Sequence, residues 1–220
     1  MNFFEPVWLS LQIALFASVV VIILGTVIGR IMARSSFRGK LVLETFFICP
    51  MVLPPTVIGF LLIVIFGKNS PIGQMIERVF DHPIIFTKWA AIIAAVVVSF
   101  PLMYQAAKIG FSNEHIEIEE GAQDLGANAW KVFWYITLPI AFRSLIGGAI
   151  LSFVRALGEF GATLMFAGNI PGKTQTIPMA IYIAIDSGNM TLAWLWVITT
   201  IVLSIGFLSF TQVLQRKKDT

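Results

Sequence analysis

Charge is scarce in this chain. Only 12% of its 220 residues are Asp, Glu, Lys or Arg, about half the share found in a soluble domain, while 57% are hydrophobic. So little charge cannot coat a globule of this size, which excludes a water-soluble fold. Cysteine is scarcer still. Cys49 stands alone in an apolar run, so an intramolecular disulfide is excluded and the thiol has the setting of a packed side chain. His82 and His115 are the only histidines, and neither has a Cys or His at metal-ligand spacing. No basic residue precedes Arg30, so the first apolar run lacks the charged start of a cleaved signal and is expected to stay in place as a span.

What the chain does have is long uncharged runs. Residues 6–29, 45–67, 89–107 and 187–215 carry no Asp, Glu, Lys or Arg, giving runs of 24, 23, 19 and 29 residues. About 20 apolar residues in a helix cross the roughly 30 Å hydrocarbon core. The expectation is one all-α, polytopic membrane domain over residues 1–220 with about five spans, near 7–32, 41–66, 89–109, 140–166 and 191–214. Gly25 and Gly29 form a small-xxx-small pair in the first, suited to close approach by another helix. The second contains Pro50, Pro54 and Pro55, which free backbone groups that lipid cannot satisfy; plain kinks and the lining of a water-filled path are both open readings. A polar loop with a short surface helix is expected over 67–88, with Trp89 as an interfacial anchor. The apolar segment 177–185 is too short to be a sixth span.

Basic residues sort by side. With the N-terminus outside and the C-terminus cytoplasmic, the cytoplasmic segments hold Arg30, Arg34, Arg38, Lys40, Lys108, Lys131, Arg143, Arg216, Lys217 and Lys218, and the outer ones Lys68, Arg78, Lys88 and Lys173. Ten against four obeys the positive-inside rule. The pI of about 9.2 is then a matter of orientation against membrane lipid, and no nucleic-acid partner is expected. Residues 112–139 form a cytoplasmic segment holding Glu114, Glu117, Glu119, Glu120 and Asp124, five of the chain's 12 acids.

Within that segment the chain reads Glu120-Gly121-Ala122, three residues, Gly126, nine residues, then Ile136-Thr137-Leu138-Pro139. Small residues at 121, 122 and 126 offer a face for close packing, Gly126 breaks the helix, and Pro139 suits the first turn of the next. The string resembles the E-A-A-x3-G-x9-I-x-L-P signature of binding-protein-dependent ABC transporter permeases, departing only at Gly121. The resemblance implies a type I ABC importer permease-like fold. It also implies that Glu120, Gly121, Ala122 and Gly126 are the contacts docking a separate cytoplasmic ATPase dimer. ATP would be used there, with no cofactor bound by this chain, which is a transport subunit and not an enzyme.

A second constellation is Arg155-Ala156-Leu157-Gly158-Glu159-Phe160-Gly161-Ala162. Arg155 and Glu159, spaced i and i+4, can meet on one helix face. Two roles are open: a neutralised pair that pins helix packing, and an Arg155 that lends positive potential to an anion path. The string resembles the oxyanion branch of these permeases, and its continuation from Thr163 through Pro178 resembles the molybdate permeases. That resemblance implies a homodimer and an extracytoplasmic oxyanion-binding protein delivering molybdate or tungstate at an outer mouth near Asn169, Lys173 and Thr174. It also implies multi-pass residence in the cytoplasmic (inner) membrane of a prokaryote. A sulfate or thiosulfate permease is the alternative; an ion-driven secondary transporter is disfavoured, because no inverted repeat is visible. Gly172-Lys173-Thr174 ends like a phosphate-binding loop, but Ala167 stands where its first glycine belongs. Ser99, Ser152 and the histidines make no hydrolytic set, the histidines falling on opposite predicted sides.

Overall fold

A computed structural model describes residues 2–112 and 116–216, with side chains up to residue 209 in the last helix. Glu114, His115, Lys217 and Lys218, assigned above to cytoplasmic segments, lie outside the described residues. The described chain is helical, with no strand. In order it forms α1 (Phe4–Arg34), α2 (Lys40–Val52), α3 (Pro55–Phe66), α4 (Pro71–Phe80), α5 (Lys88–Gly110), α6 (Ile116–Asp124) and α7 (Ala129–Val132). A π turn (Phe133–Thr137), α8 (Leu138–Leu157), α9 (Gly161–Ala167), α10 (Ile177–Asp186) and α11 (Met190–Arg216) follow. Four helical stretches are long and apolar enough to cross a membrane, and α2 with α3 makes up to five.

The centre of the bundle is α5, which buries twelve of its 23 residues, five of them alanines. It runs beside α1 and against α8. In lipid, helices associate by close backbone approach and not by hiding apolar surface from water. A Cβ built on Gly25 would stand 2.7 Å from Met103 Cγ, and one on Gly29 would stand 2.6 Å from Ala107 Cβ, so the small-xxx-small pair serves α1–α5 packing as expected. On the other flank the Ser152 hydroxyl donates to the Ser99 carbonyl across α8 and α5 at 3.3 Å.

The stretch 41–66 is not one straight helix. It is two, bent by 117° at Leu53-Pro54. Pro54 and Pro55 supply no amide donors, and Pro disfavours helical geometry in the residue before it; Leu53 and Pro54 accordingly have extended ψ values of 141° and 136°. The two ends of the pair lie at opposite ends of α5. Glu44 meets Lys108 Nζ at 2.7 Å, while Phe66 packs on Phe166 and Gly67 faces Ile85. It is therefore an interrupted crossing.

The fourth span also differs from its expected limits of 140–166. Its helical run begins at Ala129 and continues 29 residues to Leu157, so Pro139 stands in the first turn of α8 as expected but follows a π turn and not a loop. The π turn makes the continuous run possible. Pro139 would clash with the carbonyl four residues back in a regular helix; the wider turn, in which the Leu138 amide reaches the Phe133 carbonyl, relieves it. The helix stops at Gly158 and α9 resumes at Gly161, packing on α3. The two interrupted crossings thus meet through their second halves. The short α4, capped by Ser70 Oγ accepting from the Gly73 amide at 2.8 Å, is the expected surface helix. The ten-residue α10 is too short to cross and packs on α11 around Trp196.

Candidate functional site

The acidic segment contributes α6, none of whose residues is buried. The helix ends on a glycine in left-handed geometry: Gly126 has φ 91°. The Ala127 amide donates to the Ala122 carbonyl at 3.1 Å, and the Gly126 amide donates to the Gln123 carbonyl at 2.8 Å. These are the paired bonds of a Schellman cap. Two residues on, the Asn128 side chain accepts from the Lys131 amide at 2.8 Å, which starts the next helix. The chain thus stops and restarts within four residues by local hydrogen bonds alone.

The side chains of α6 divide by direction. Glu120 and Gly121 are exposed, as are Leu125 and Gly126. A Cβ built on Gly121 or Gly126 meets nothing within 4 Å. Ala122 is half-buried. The four positions Glu120, Gly121, Ala122 and Gly126 therefore share one short helix end whose glycines stand open. Glu119, about 100° around the helix from Glu120, turns to the bundle and pairs with Arg34 at the end of α1. One turn earlier on α1, the Arg30 guanidinium lies 3.8 Å from the centre of the Phe133 ring and 5.8 Å from that of Phe111. Sequence reasoning counted Arg30 and Arg34 only as side-marking charges and did not single out Glu119 or Phe133. The available signal was two arginines at i and i+4 facing a segment rich in acids.

Arg155 and Glu159 do meet, Nη1 to Oε2, at 2.7 Å, but not on one helix. Glu159 stands in the break between α8 and α9, and its Oε1 accepts from the Ala162 amide at 2.8 Å. The carboxylate closes the pair and starts α9 together. It is 2% exposed while Arg155 is 34% exposed, so the acid is sealed and the guanidinium retains a free side.

The outer-mouth residues separate. Lys173 is exposed and lines a cavity of about 510 Å³ with Glu5, Trp8, Gln12, Thr87 and Lys88; Lys88 donates to Gln12. Asn169 is half-buried, and its Oδ1 is sealed without a partner among the described residues. Thr174 does not line this cavity. It is fully buried, accepts from the Ile170 amide at 3.0 Å and donates to the Gly168 carbonyl at 3.2 Å, stapling the loop from inside. The described residues hold no group of His, Cys, Asp and Glu able to bind a metal ion.

Comparison with known proteins bears on this arrangement. Residues 25–220 match the family described as the binding-protein-dependent transport system inner membrane component. The permease protein YvgM of Bacillus subtilis (strain 168), assigned by name to a molybdenum transport system, is 61% identical over 96% of this chain and 93% of its own. The molybdenum transport system permease protein ModB of Haemophilus influenzae is 41% identical over 79% of this chain and 76% of its own. In fold, the chain matches one from the inward-facing MetNI methionine ABC transporter with a TM-score of 0.72, covering 96% of this chain and 94% of that one at 15% identity. In fold it is a multi-pass chain of the ABC importer kind, and by family it belongs to the binding-protein-dependent transport system inner membrane components, which are transport permeases and not enzymes.

Proposed function

We propose that this chain is the membrane-spanning subunit of an ATP-driven importer that moves molybdate or tungstate across the cytoplasmic membrane of a prokaryotic cell. Two copies would enclose the path, since one bundle of five crossings has little room for one. The observation that carries the reading is the open end of α6. It is an acidic helix with two unfilled glycine positions, projecting where Arg34, Lys40 and Lys108 also gather. That clustering of basic residues supports a cytoplasmic location for this end and an outer location for Lys88 and Lys173. An ATPase would seat on Glu120, Gly121, Ala122 and Gly126, one per copy, and hydrolyse the ATP. An extracytoplasmic binding protein would deliver the anion near Asn169 and Lys173. Arg155, the basic residue that the sequence assigns to neither side of the membrane, keeps a free side for a passing dianion.

Substrate choice is supported by the names of the two permeases compared above, which belong to molybdenum transport systems. Sulfate is the rival, being a tetrahedral dianion like molybdate. The experiment is ATPase activity in proteoliposomes holding this chain with the ATPase and binding protein encoded beside it. Molybdate and tungstate should stimulate hydrolysis while sulfate does not. Stimulation by sulfate alone would keep the permease reading and overturn the substrate. Failure of any ATPase to assemble with the chain would overturn the role given to α6.

A further inference from the structure

We infer that Arg30 and Arg34 form a clamp through which the cytoplasmic segment drives α1 directly, giving motion of α6 a second route into the bundle besides the chain path into α8. The inference rests on the permease reading above and adds the residues that transmit its movement.

The chain path alone is a soft linkage. α6 buries none of its own residues and joins the following helix through Gly126, Ala127 and Asn128, a turn held by local hydrogen bonds. A push on Glu120 would be partly absorbed at that hinge. The Arg34–Glu119 pair bypasses it. Glu119 neighbours Glu120 but points to the bundle, so one short helix presents one acid outward and one to α1. Arg30 grips the far side of the hinge, its guanidinium over Phe133 in the π turn, and Glu119 lies within its electrostatic reach as well. Arginine suits both tasks, because its planar cation stacks on rings and pairs with carboxylates.

The clamp has a rigid anchor. Gly29, one residue before Arg30, brings α1 to within a Cβ contact of Ala107 and the Lys108 backbone, so displacement of the α1 end carries α5 with it. The clamp therefore holds both sides of the Gly126 hinge to the α1–α5 pair, and the segment moves as one body with the centre of the bundle. A partly exposed ion pair adds little to fold stability, so its loss leaves the protein folded and shows in coupling.

The test uses the complete transporter in proteoliposomes, reading molybdate uptake per ATP hydrolysed. Arg34→Glu and Glu119→Arg should each lower that ratio about fivefold or more, with ATPase assembly unchanged, and the double exchange should return it to within about twofold of the starting protein. Arg30→Lys, which keeps the charge and loses the stack, should lower it by less. Singles that keep the full ratio, or a double exchange no better than the singles, would overturn the clamp. A second readout does not depend on transport. Spin labels at Arg38→Cys and Glu117→Cys, in a Cys49→Ser background in nanodiscs, should give a narrow distance distribution that broadens in either single exchange and narrows again in the double. Equal widths throughout overturn the clamp even if the permease reading stands. The narrow–broad–narrow series with no ATPase assembly upholds the contact between α1 and the segment and overturns the docking role given to α6.

Discussion

Glycine in α1 and glycine in α6 are used for opposite ends. Gly25 and Gly29 are buried, and a methyl group at either would collide with α5. Gly121 and Gly126 are exposed, and a methyl group at either would meet none of the described residues within 4 Å. The local pattern of small residues is similar in both. In α1 the missing side chains are filled by the protein's own helix. In α6 they are filled by no described residue, which is the condition of a surface kept for another molecule. Substitutions at both places turn this difference into stability and coupling.

The largest loss is expected at Gly29. A Cβ there would sit 3.0 Å from the Lys108 amide nitrogen and 3.0 Å from the Tyr104 carbonyl oxygen, backbone atoms that cannot swing aside. Gly29→Val should cost about 3 kcal/mol, the upper end of ordinary overpacking. In a chain of this size that lowers the unfolding midpoint in detergent by about 10 °C. An unchanged midpoint would mean that α1 and α5 do not pack on this face, and the comparison would lose its first half.

Gly126→Ala should cost less and act locally. An L side chain in left-handed geometry costs roughly 1–2 kcal/mol, here charged to the α6 cap alone. Amide exchange over 116–128 should quicken about tenfold with the global midpoint unmoved, and Gly126→Asn should recover part of the protection. Asn128→Ala removes the acceptor for the Lys131 amide and should cost about 1 kcal/mol. Its exchange signature should be confined to residues 129–132. If either change lowered the global midpoint as Gly29→Val does, the cytoplasmic segment would be part of the packed core and the contrast would fail.

The spans could be read because charge-free runs report the hydrocarbon thickness directly. Their interruptions could be read only in part. Pro50, Pro54 and Pro55 announced a break, but Pro50 lies within α2 and the 117° bend depends on where α3 finds α9. The helix that carries the fourth span starts at Ala129, eleven residues before the expected span, because the acids and the signature string mark 112–139 as one cytoplasmic segment without telling where helix begins within it. The Arg155–Glu159 pair was found by spacing, yet the acid is off the helix; four residues bring the two groups together across a break as well as along a turn. The Gly126 cap was legible from one residue, since it needs no tertiary partner. The Arg34–Glu119 contact joins residues 85 apart, and no local pattern carries such a pairing.

Gly121 should give the smallest effect on the chain and the sharpest one on its work. Alanine at an exposed helical position is favoured over glycine by about 1 kcal/mol, and no atom stands within 4 Å of the new methyl group. Gly121→Ala should therefore leave the unfolding midpoint level or slightly raised. It also restores the alanine of the signature that this chain resembles, so anion-stimulated ATPase should persist. Gly121→Trp starts from the same open Cβ position on an exposed helix and should also fold, but its ring occupies the space the ATPase would fill. Assembly with the ATPase should then fall while detergent stability holds. If Gly121→Trp assembles and couples normally, the open face of α6 is merely solvated, and the distinction between glycines filled from within and glycines filled from outside does not describe this protein.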